Sequence, residues 1–458
     1  MATFFFCGIG GIGMSSIALY LKKKGHIVLG SDRSFDQNKS SEMRQRLEKA
    51  GINLFPQDGK SVSNYINTFV VSSAVEDSIP DVKRAKELGL TIKLRAEILA
   101  EILSEHFGIA VAGTSGKTTV TAMTGHILFC LHKHPLMING GISVNQYNNE
   151  PASNLLMDGD DICVIEADES DGSIERYTPD LAVVTNITLD HKTLDEICPL
   201  FKDFLYRARK GIVMNLDDEE SNKLQIDRPN IITFSATGNP KAVLRATNIQ
   251  ESSEGIHFNI NDRAVFLPMI GRHNVENALA AIGLCMHLNI SIEESMQALQ
   301  SFLGTERRMT RIGQQRDITI FDDYAHNPAK IKAALLALKP LCKRLFVIYQ
   351  PHGFGPLRLM KETLIHTLNQ ILDDQIEWLM LPVFYAGGTV AKDISSQDIV
   401  TPLQKNGKRA VALDTREEVV QYIQKRACSG DAVLVMGARD ASLSNFAKDI
   451  LTALGESS

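Results

Sequence analysis

The run GIAVAGTSGKTTVTA, residues 108–122, decides how the chain reads. Ile109–Ala112 form an unbroken apolar stretch of the kind found in strands buried on both faces. Gly113 and Gly116 interrupt it, and Lys117, Thr118 and Thr119 open a helical pattern. The common phosphate loop, G-x-x-x-x-G-K-[ST], would put its first glycine at position 111, where this chain has Val111. Two readings follow: a nucleotide site with another spacing, or a Gly-Ser-Gly turn beside a surface lysine. The first explains each residue. Glycine lets backbone amides point at phosphate oxygens, lysine places a cation on the terminal phosphates, and a threonine hydroxyl can coordinate Mg2+.

Working outward, short apolar runs alternate with helical patterns along nearly the whole chain, which predicts an α/β fold of parallel sheets covered by helices. The first block has strands at TFFFC (3–7), IVLGS (27–31) and FVVSS (69–73). The second begins at the quoted loop and continues through DICVIEADESD and LAVVTNITLDH. Residues 225–270 predict a small antiparallel patch, followed by two amphipathic helices, the second capped by Ser291 with Glu294 at the capping-box position. The third block has strands at ITIFDDY, RLFVIYQ, IEWLMLP and DAVLVMG. Three domains are expected, at 1–104, 105–304 and 305–458.

The 458 residues carry a formal net charge of −6 and no basic block, which argues against nucleic acid or an anionic membrane as partner. Seven cysteines stand singly with no C-x-x-C pair, the usage of reduced thiols in a cytoplasmic protein. The start, MATFFFCGIGGIGM, lacks a basic segment and reads as a buried strand entering a turn. No run reaches the roughly 18 apolar residues that span a bilayer.

Other clusters could carry chemistry. Gly8, Gly10 and Gly13 form G-x-G-x-x-G between a strand and a helix, with Asp32 ending the next strand. That pattern suits a pyrophosphate at a helix N-terminus, or a tight structural turn. By itself it also supports a nicotinamide-dependent oxidoreductase, which would leave Lys117–Thr119 unexplained. EADESD supplies Glu166, Asp168, Glu169 and Asp171, of which at least two of the last three read as a solvated acidic turn. NITLDH ends in Asp190 and His191. Carboxylates and an imidazole at strand ends suit Mg2+ bridging phosphates. GRHNVENALAA places His273, Asn274 and Asn277 at a helix start, where Asn274 reads as a cap and Asn277 as a ligand residue. FDDYAHNP holds Asp322, Asp323 and His326, while Arg307 and Arg308 read as a surface pair.

In this order, GTSGKTT, EADESD, TNITLDH, GRHNVENALAA and DDYAHNP resemble the motif series of the Mur ligases, ATP-dependent amide-forming enzymes of peptidoglycan assembly. The short G-T-x-G-K-T-T loop is that family's phosphate loop. GIGGIGMSS, GSD, VVSSAV and YQPH resemble most the branch that adds L-alanine to UDP-N-acetylmuramate.

The resemblance implies three domains: a Rossmann-like domain for the UDP-sugar, a P-loop-type ATPase domain, and a Rossmann-like C-terminal domain that brings the amino acid. It implies UDP-sugar contacts from Gly8, Gly10, Gly11, Gly13, Asp32, Ser72 and Ser73. It implies ATP contacts from Gly113, Thr114, Ser115, Gly116, Lys117, Thr118, Thr119, His273, Asn277 and Asp323. Thr118, Glu166 and His191 would serve Mg2+, and Lys117, Glu166, His191 and Arg308 would carry catalysis. A cytoplasmic monomer or homodimer is expected, acting on UDP-N-acetylmuramate and an amino acid.

Five positions depart from the branch's usual pattern: Ser115 for His, DHKTLDE after the D-H pair, Asn327 for His, Gly353 for Arg and Arg439 for Gly. Tyr206 stands where other branches carry a carbamylated lysine. The departures leave open a peptide-adding ligase of cell-wall recycling, a paralogue with another acceptor, and a binding protein that has lost turnover.

Overall fold

A computed structural model describes residues 1–37, 41–72, 75–148, 153–169, 172–188, 193–385, 391–440 and 442–456. Three sheets succeed one another along the chain. In the first, β1 (Thr3–Cys7), β2 (Ile27–Ser31), β3 (Asn53–Phe55), β4 (Thr68–Val71) and β5 (Ile92–Leu94) are all parallel, in the order β3-β2-β1-β4-β5. The helices are α1 (Ile12–Lys23), α2 (Arg33–Asp36), α3 (Ser41–Lys49), α4 (Pro80–Glu87) and α5 (Arg95–Ser104). β1 and β2 fall where their apolar runs predict; β3 and β5, three residues each and half-exposed, carry too little apolar pattern to be read. Phe5 and Phe69 stack at 5.4 Å between the neighbouring strands β1 and β4.

The central sheet has ten strands: β6 (Phe107–Ala112), β7 (Pro135–Ile138), β8 (Leu155–Met157), β9 (Ile162–Glu166), β10 (Leu181–Val184), β11 (Gly211–Asn215), β12 (Ile231–Ser235), β13 (Leu244–Glu251), β14 (Ile256–Ile260) and β15 (Arg263–Leu267). Their order is β15-β14-β13-β12-β11-β10-β6-β9-β7-β8. The small patch expected at 225–270 is the edge of this sheet, joined to it by parallel pairing of β12 with β13. With them come α6 (Lys117–Cys130), α7 (Leu194–Arg207), α8 (Glu219–Lys223), α9 (His273–Met286) and α10 (Ile292–Leu299). The Ser291–Glu294 capping box of α10 is present as expected. Helix α6 is buried from Thr118 to Leu128, which explains its lack of an amphipathic stripe.

The third sheet comprises β16 (Thr310–Gln315), β17 (Ile318–Asp323), β18 (Leu345–Tyr349), β19 (Ile376–Met380), β20 (Ala410–Ala412) and β21 (Ala432–Met436), ordered β16-β17-β21-β18-β19-β20. Among the described residues of this sheet, only β16 is antiparallel to its neighbour. Helices α11 (Pro328–Leu338), α12 (Phe354–Ile371), α13 (Gln397–Lys405), α14 (Arg416–Arg426) and α15 (Leu443–Glu456) accompany it. By compactness the chain parts into residues 1–250, 257–268 and 273–305, and residues 251–256, 269–272 and 306–458. Among the described residues no helix is long and apolar enough to cross a membrane.

Candidate ATP and UDP-sugar sites

The parallel register of the central sheet assembles the first site. β6 pairs with β9 so that Val111 faces Glu166, and with β10 so that Ala112 faces Val184. The carboxyl ends of three strands thus share one edge, at the point where strand order reverses around β6. The loop Gly113–Gly116 leaves that edge and enters α6, with Gly116 as N-cap at φ +88°. A Cβ on Gly113, at φ +127°, would lie 2.1 Å from Thr185 Oγ1. Thr185 and Asn186, just beyond β10, hold the loop in shape. Thr185 Oγ1 donates to Ser115 O at 2.6 Å, and Asn186 Oδ1 accepts from Ser115 N at 3.0 Å. Thr114 N donates to Asn186 O at 2.9 Å. The helix presents its first backbone N–H groups there with no acidic residue in its first turn, a geometry suited to phosphate.

Lys117 Nζ donates to Gly113 O at 2.7 Å and to Glu169 Oε2 at 2.7 Å. Both side chains are largely buried, at 11% and 6% exposure, so this is an interior ion pair. Burial opposes the charge on Lys117, but Glu169, Asp168 and Glu166 outweigh it and raise its pKa, so the lysine stays protonated. Burial also raises the pKa of Glu169, with Lys117 pulling the other way. Glu169 is thus no solvated acidic turn. Its neighbour Asp168 uses its backbone carbonyl to accept from Ile174 N at 3.1 Å and Ser173 Oγ at 2.9 Å; Asp171 lies outside the described residues.

Thr118 Oγ1 donates to Glu166 Oε2 at 3.0 Å, so the two oxygen ligands expected for Mg2+ are adjacent. Hard oxygen donors beside a helix start suited to phosphate fit that ion. Among the described residues no group of three His, Cys, Asp or Glu side chains converges on a metal position. His191 and Asp190 lie outside the described residues, as does Ser73. Tyr206, 43% exposed on α7, has its hydroxyl 3.4 Å from Asp227 N.

Asn277 reaches the phosphate loop: a Cβ on Gly116 would lie 2.4 Å from its Oδ1. Its Nδ2 donates to Asn274 Oδ1 at 3.0 Å, and both residues are buried within α9, which begins at His273. Sequence reasoning missed Asn139 and Asn154. Asn139 Nδ2 donates to Thr118 O at 3.1 Å, and Gly140 N donates to Glu166 Oε2 at 3.0 Å. Asn139 N donates to Asn154 O at 2.9 Å, and Asn154 Nδ2 donates to Ile12 O at 2.6 Å, in the first turn of α1. These bonds connect the phosphate loop to the glycine loop of the first sheet. Neither asparagine belongs to a readable motif.

That glycine loop follows β1, at the corresponding switch point of the first sheet. Gly8 takes φ +85°, Gly11 caps α1, and Gly13 has the Arg95 side chain 3.3 Å from a Cβ built on it. Asp32 faces inward. Its Oδ2 accepts from Gly10 N at 2.8 Å, and its Oδ1 accepts from Ser34 N at 2.8 Å as the cap of α2. One oxygen ties the loop and the other caps α2, so Asp32 fixes the two to each other. Ser72 is half-buried just beyond β4.

In the other unit, Asp323, Tyr349 and Met436 align in register at the carboxyl edge of the third sheet. Asp323 accepts from Met309 N and Ala325 N, each at 2.7 Å, binding its loop with both oxygens. Arg307 is not the surface residue expected. It is nearly buried, bonded to Gly437 O, to Asp440 O at 3.1 Å and to Asp322 Oδ1 at 3.5 Å. Arg308 lies over the Tyr324 ring at 5.3 Å. Asn327 caps α11 by accepting from Lys330 N at 2.9 Å. Arg439 adopts φ +64°, a conformation glycine takes without strain, which fits the glycine usual there among the Mur ligases it resembles.

Three family models match consecutive parts of the chain: Mur ligase family, catalytic domain, over residues 3–107; Mur ligase middle domain, over 111–285; and Mur ligase, glutamate ligase domain, over 307–439. The chain belongs to the Mur ligase family. Membership makes it an ATP-dependent ligase of three-domain α/β architecture, and sets aside the nicotinamide reading of the glycine loop. The UDP-N-acetylmuramate–L-alanine ligase of Agrobacterium fabrum is 36% identical over 454 residues, covering 94% of this chain and 93% of that one. The Bartonella tribocorum ligase of the same name is 37% identical over 456 residues, with 94% and 92% covered. Among solved structures, the UDP-N-acetylmuramate-alanine ligase of Thermotoga maritima superposes with a TM-score of 0.81 at 26% identity, covering 100% of both chains. A murein peptide ligase from Psychrobacter arcticus gives 0.70 at 25% identity, covering 100% of this chain and 99% of that one.

Proposed function

We propose that this Mur ligase joins L-alanine, or another amino acid in its place, to the carboxylate of UDP-N-acetylmuramate, releasing ADP and phosphate. The setting is cytoplasmic synthesis of peptidoglycan precursors, by a monomer or homodimer with neither nucleic acid nor membrane as partner. The observation that carries this reading is the loop Gly113–Thr119, with Lys117, Thr118 and Glu166 clustered at the start of α6. The near-full-length similarity to L-alanine ligases supports the choice of substrates. The three-way division near residues 104 and 305 is part of the same proposal.

A carboxylate acylates poorly because its leaving group would be oxide. Transfer of the γ-phosphoryl group to a carboxylate oxygen, with ADP departing, turns that oxygen into part of an acyl phosphate. The amine then attacks the carbonyl carbon, and phosphate leaves with the electrons of the broken C–O bond while the nitrogen gives up a proton. Lys117 and the first amides of α6 stabilise charge on the phosphates. Thr118, Glu166 and His191 would hold Mg2+, which would supply neutralisation of phosphate charge. Gly113–Thr119 grip ATP, with His273 and Asn277 on its adenine side. Arg308 and Asp323 are assigned to ATP on the family's motifs. Gly8, Gly10, Gly11, Gly13, Ser72 and Ser73 would cradle the UDP-sugar, with Asp32 shaping their loop.

The test is phosphate release from ATP and Mg2+ with UDP-N-acetylmuramate, screening single amino acids and muramyl peptides. Turnover requiring both the sugar and L-alanine supports the reading. Turnover with a peptide alone would make the chain a peptide-adding ligase, and ADP-free silence would overturn both.

A further inference from the structure

Glu169 has no part in the chemistry above, yet its carboxylate holds the lysine that chemistry needs. It is 4% exposed, and Lys117 Nζ lies 2.7 Å from its Oε2. The second acceptor of Lys117, Gly113 O, is inside the loop itself, so Glu169 is its charged partner. A terminal phosphate and a buried carboxylate drawn to one ammonium repel each other. A buried lysine left with one carbonyl would be strongly destabilised. The pair holds Lys117 inside the loop with two of its three N–H donors used, and the repulsion between Glu169 and an arriving phosphate favours its opening.

We propose that Glu169 is a placeholder for the terminal phosphate of a nucleoside triphosphate: it holds Lys117 while the site is empty and releases it when that phosphate arrives. The inference rests on reading residues 113–119 as the ATP loop. Glu169 is then a positioning residue that tunes the preference for ATP over ADP. A nucleotide whose terminal phosphate reaches Lys117 sets its charge against Glu169 and loosens the pair. A diphosphate that stops short leaves it closed.

The experiment measures binding and thermal stabilisation of the full chain by MgATP and by MgADP, in wild type, Glu169→Gln and Glu169→Asp. Glu169→Gln should lower the melting temperature of the empty protein while leaving that of the ATP complex nearly unchanged. The stabilisation by ATP therefore grows and that by ADP does not, and the ratio of ADP to ATP dissociation constants rises about tenfold. Glu169→Asp keeps the charge at shorter reach and should fall between the two, so it reads the same effect if the glutamine variant does not fold. Equal loss of stability in the empty and ATP-bound states would show a merely structural role and overturn the proposal. Weaker ATP binding by Glu169→Gln would overturn it as well. If wild type shows no response to ATP, the nucleotide assignment itself fails and takes this inference with it. If wild type responds and the ratio stays fixed, only this inference fails.

Discussion

Asn277 and Gly116 meet so closely that a single methyl group on the glycine would lie 2.4 Å from the asparagine's Oδ1. Gly116 also takes φ +88°, where an L side chain is strained by about 1–3 kcal/mol. Gly116→Ala should therefore shift the first turn of α6, and small misplacements at a reacting centre lower rates by about a hundredfold. Phosphate release should fall by that much while UDP-sugar affinity holds. Parallel turnover and UDP-sugar titrations check this, and a near-normal rate would remove the close contact from the account.

Lys117→Ala removes the cation from the loop and leaves Glu169 buried without it. We expect phosphate release to drop about a hundredfold or more, with UDP-sugar affinity nearly intact. Normal turnover by this variant would mean that the loop does not hold the reacting phosphates.

Asp32 is bonded to Gly10 N and Ser34 N through separate oxygens, and an asparagine can accept through only one. Asp32→Asn should weaken UDP-sugar binding about tenfold, the size of one charge-assisted hydrogen bond, and leave ATP binding unchanged. Calorimetric titration with each ligand separates the two. Equal weakening for both ligands would point to a general loss of structure.

His126 provides a pH dependence of stability. Burial drives its pKa down to about 4 from the ordinary histidine value of 6.5, with the Ala298 carbonyl, 3.1 Å away, pulling partly the other way. The unfolded chain then binds a proton that the folded chain refuses, so stability is full above about pH 6.5 and declines as pH falls towards 4. The two values differ enough to remove about 3 kcal/mol at most across that window. His126→Gln cannot titrate there. Urea unfolding at several pH values should show wild type losing stability relative to this variant on acidification, and parallel profiles would contradict the assignment.

Much of the fold was legible because helix and strand patterns are local. The limits of β1 and β2, the α10 cap and the Gly113–Thr119 loop need only neighbouring residues to be read. Short half-exposed strands such as β3, β5 and β20 were not legible, since three residues carry no period. Arg307 and Glu169 look like surface charges in the sequence and are buried pairs in the fold.

By itself the sequence determined the candidates: residue types suited to phosphate, in what order, and on which kind of element. Tertiary structure decided what each of them faces. Strand order alone sets β9 beside β6, bringing Glu166 level with Val111 although they are distant along the chain. Only that pairing places Glu166 at Thr118 and Glu169 at Lys117. Whether a carboxylate is solvated, caps a turn or holds a lysine depends on what packs around it, and strand pairing between distant segments settles that.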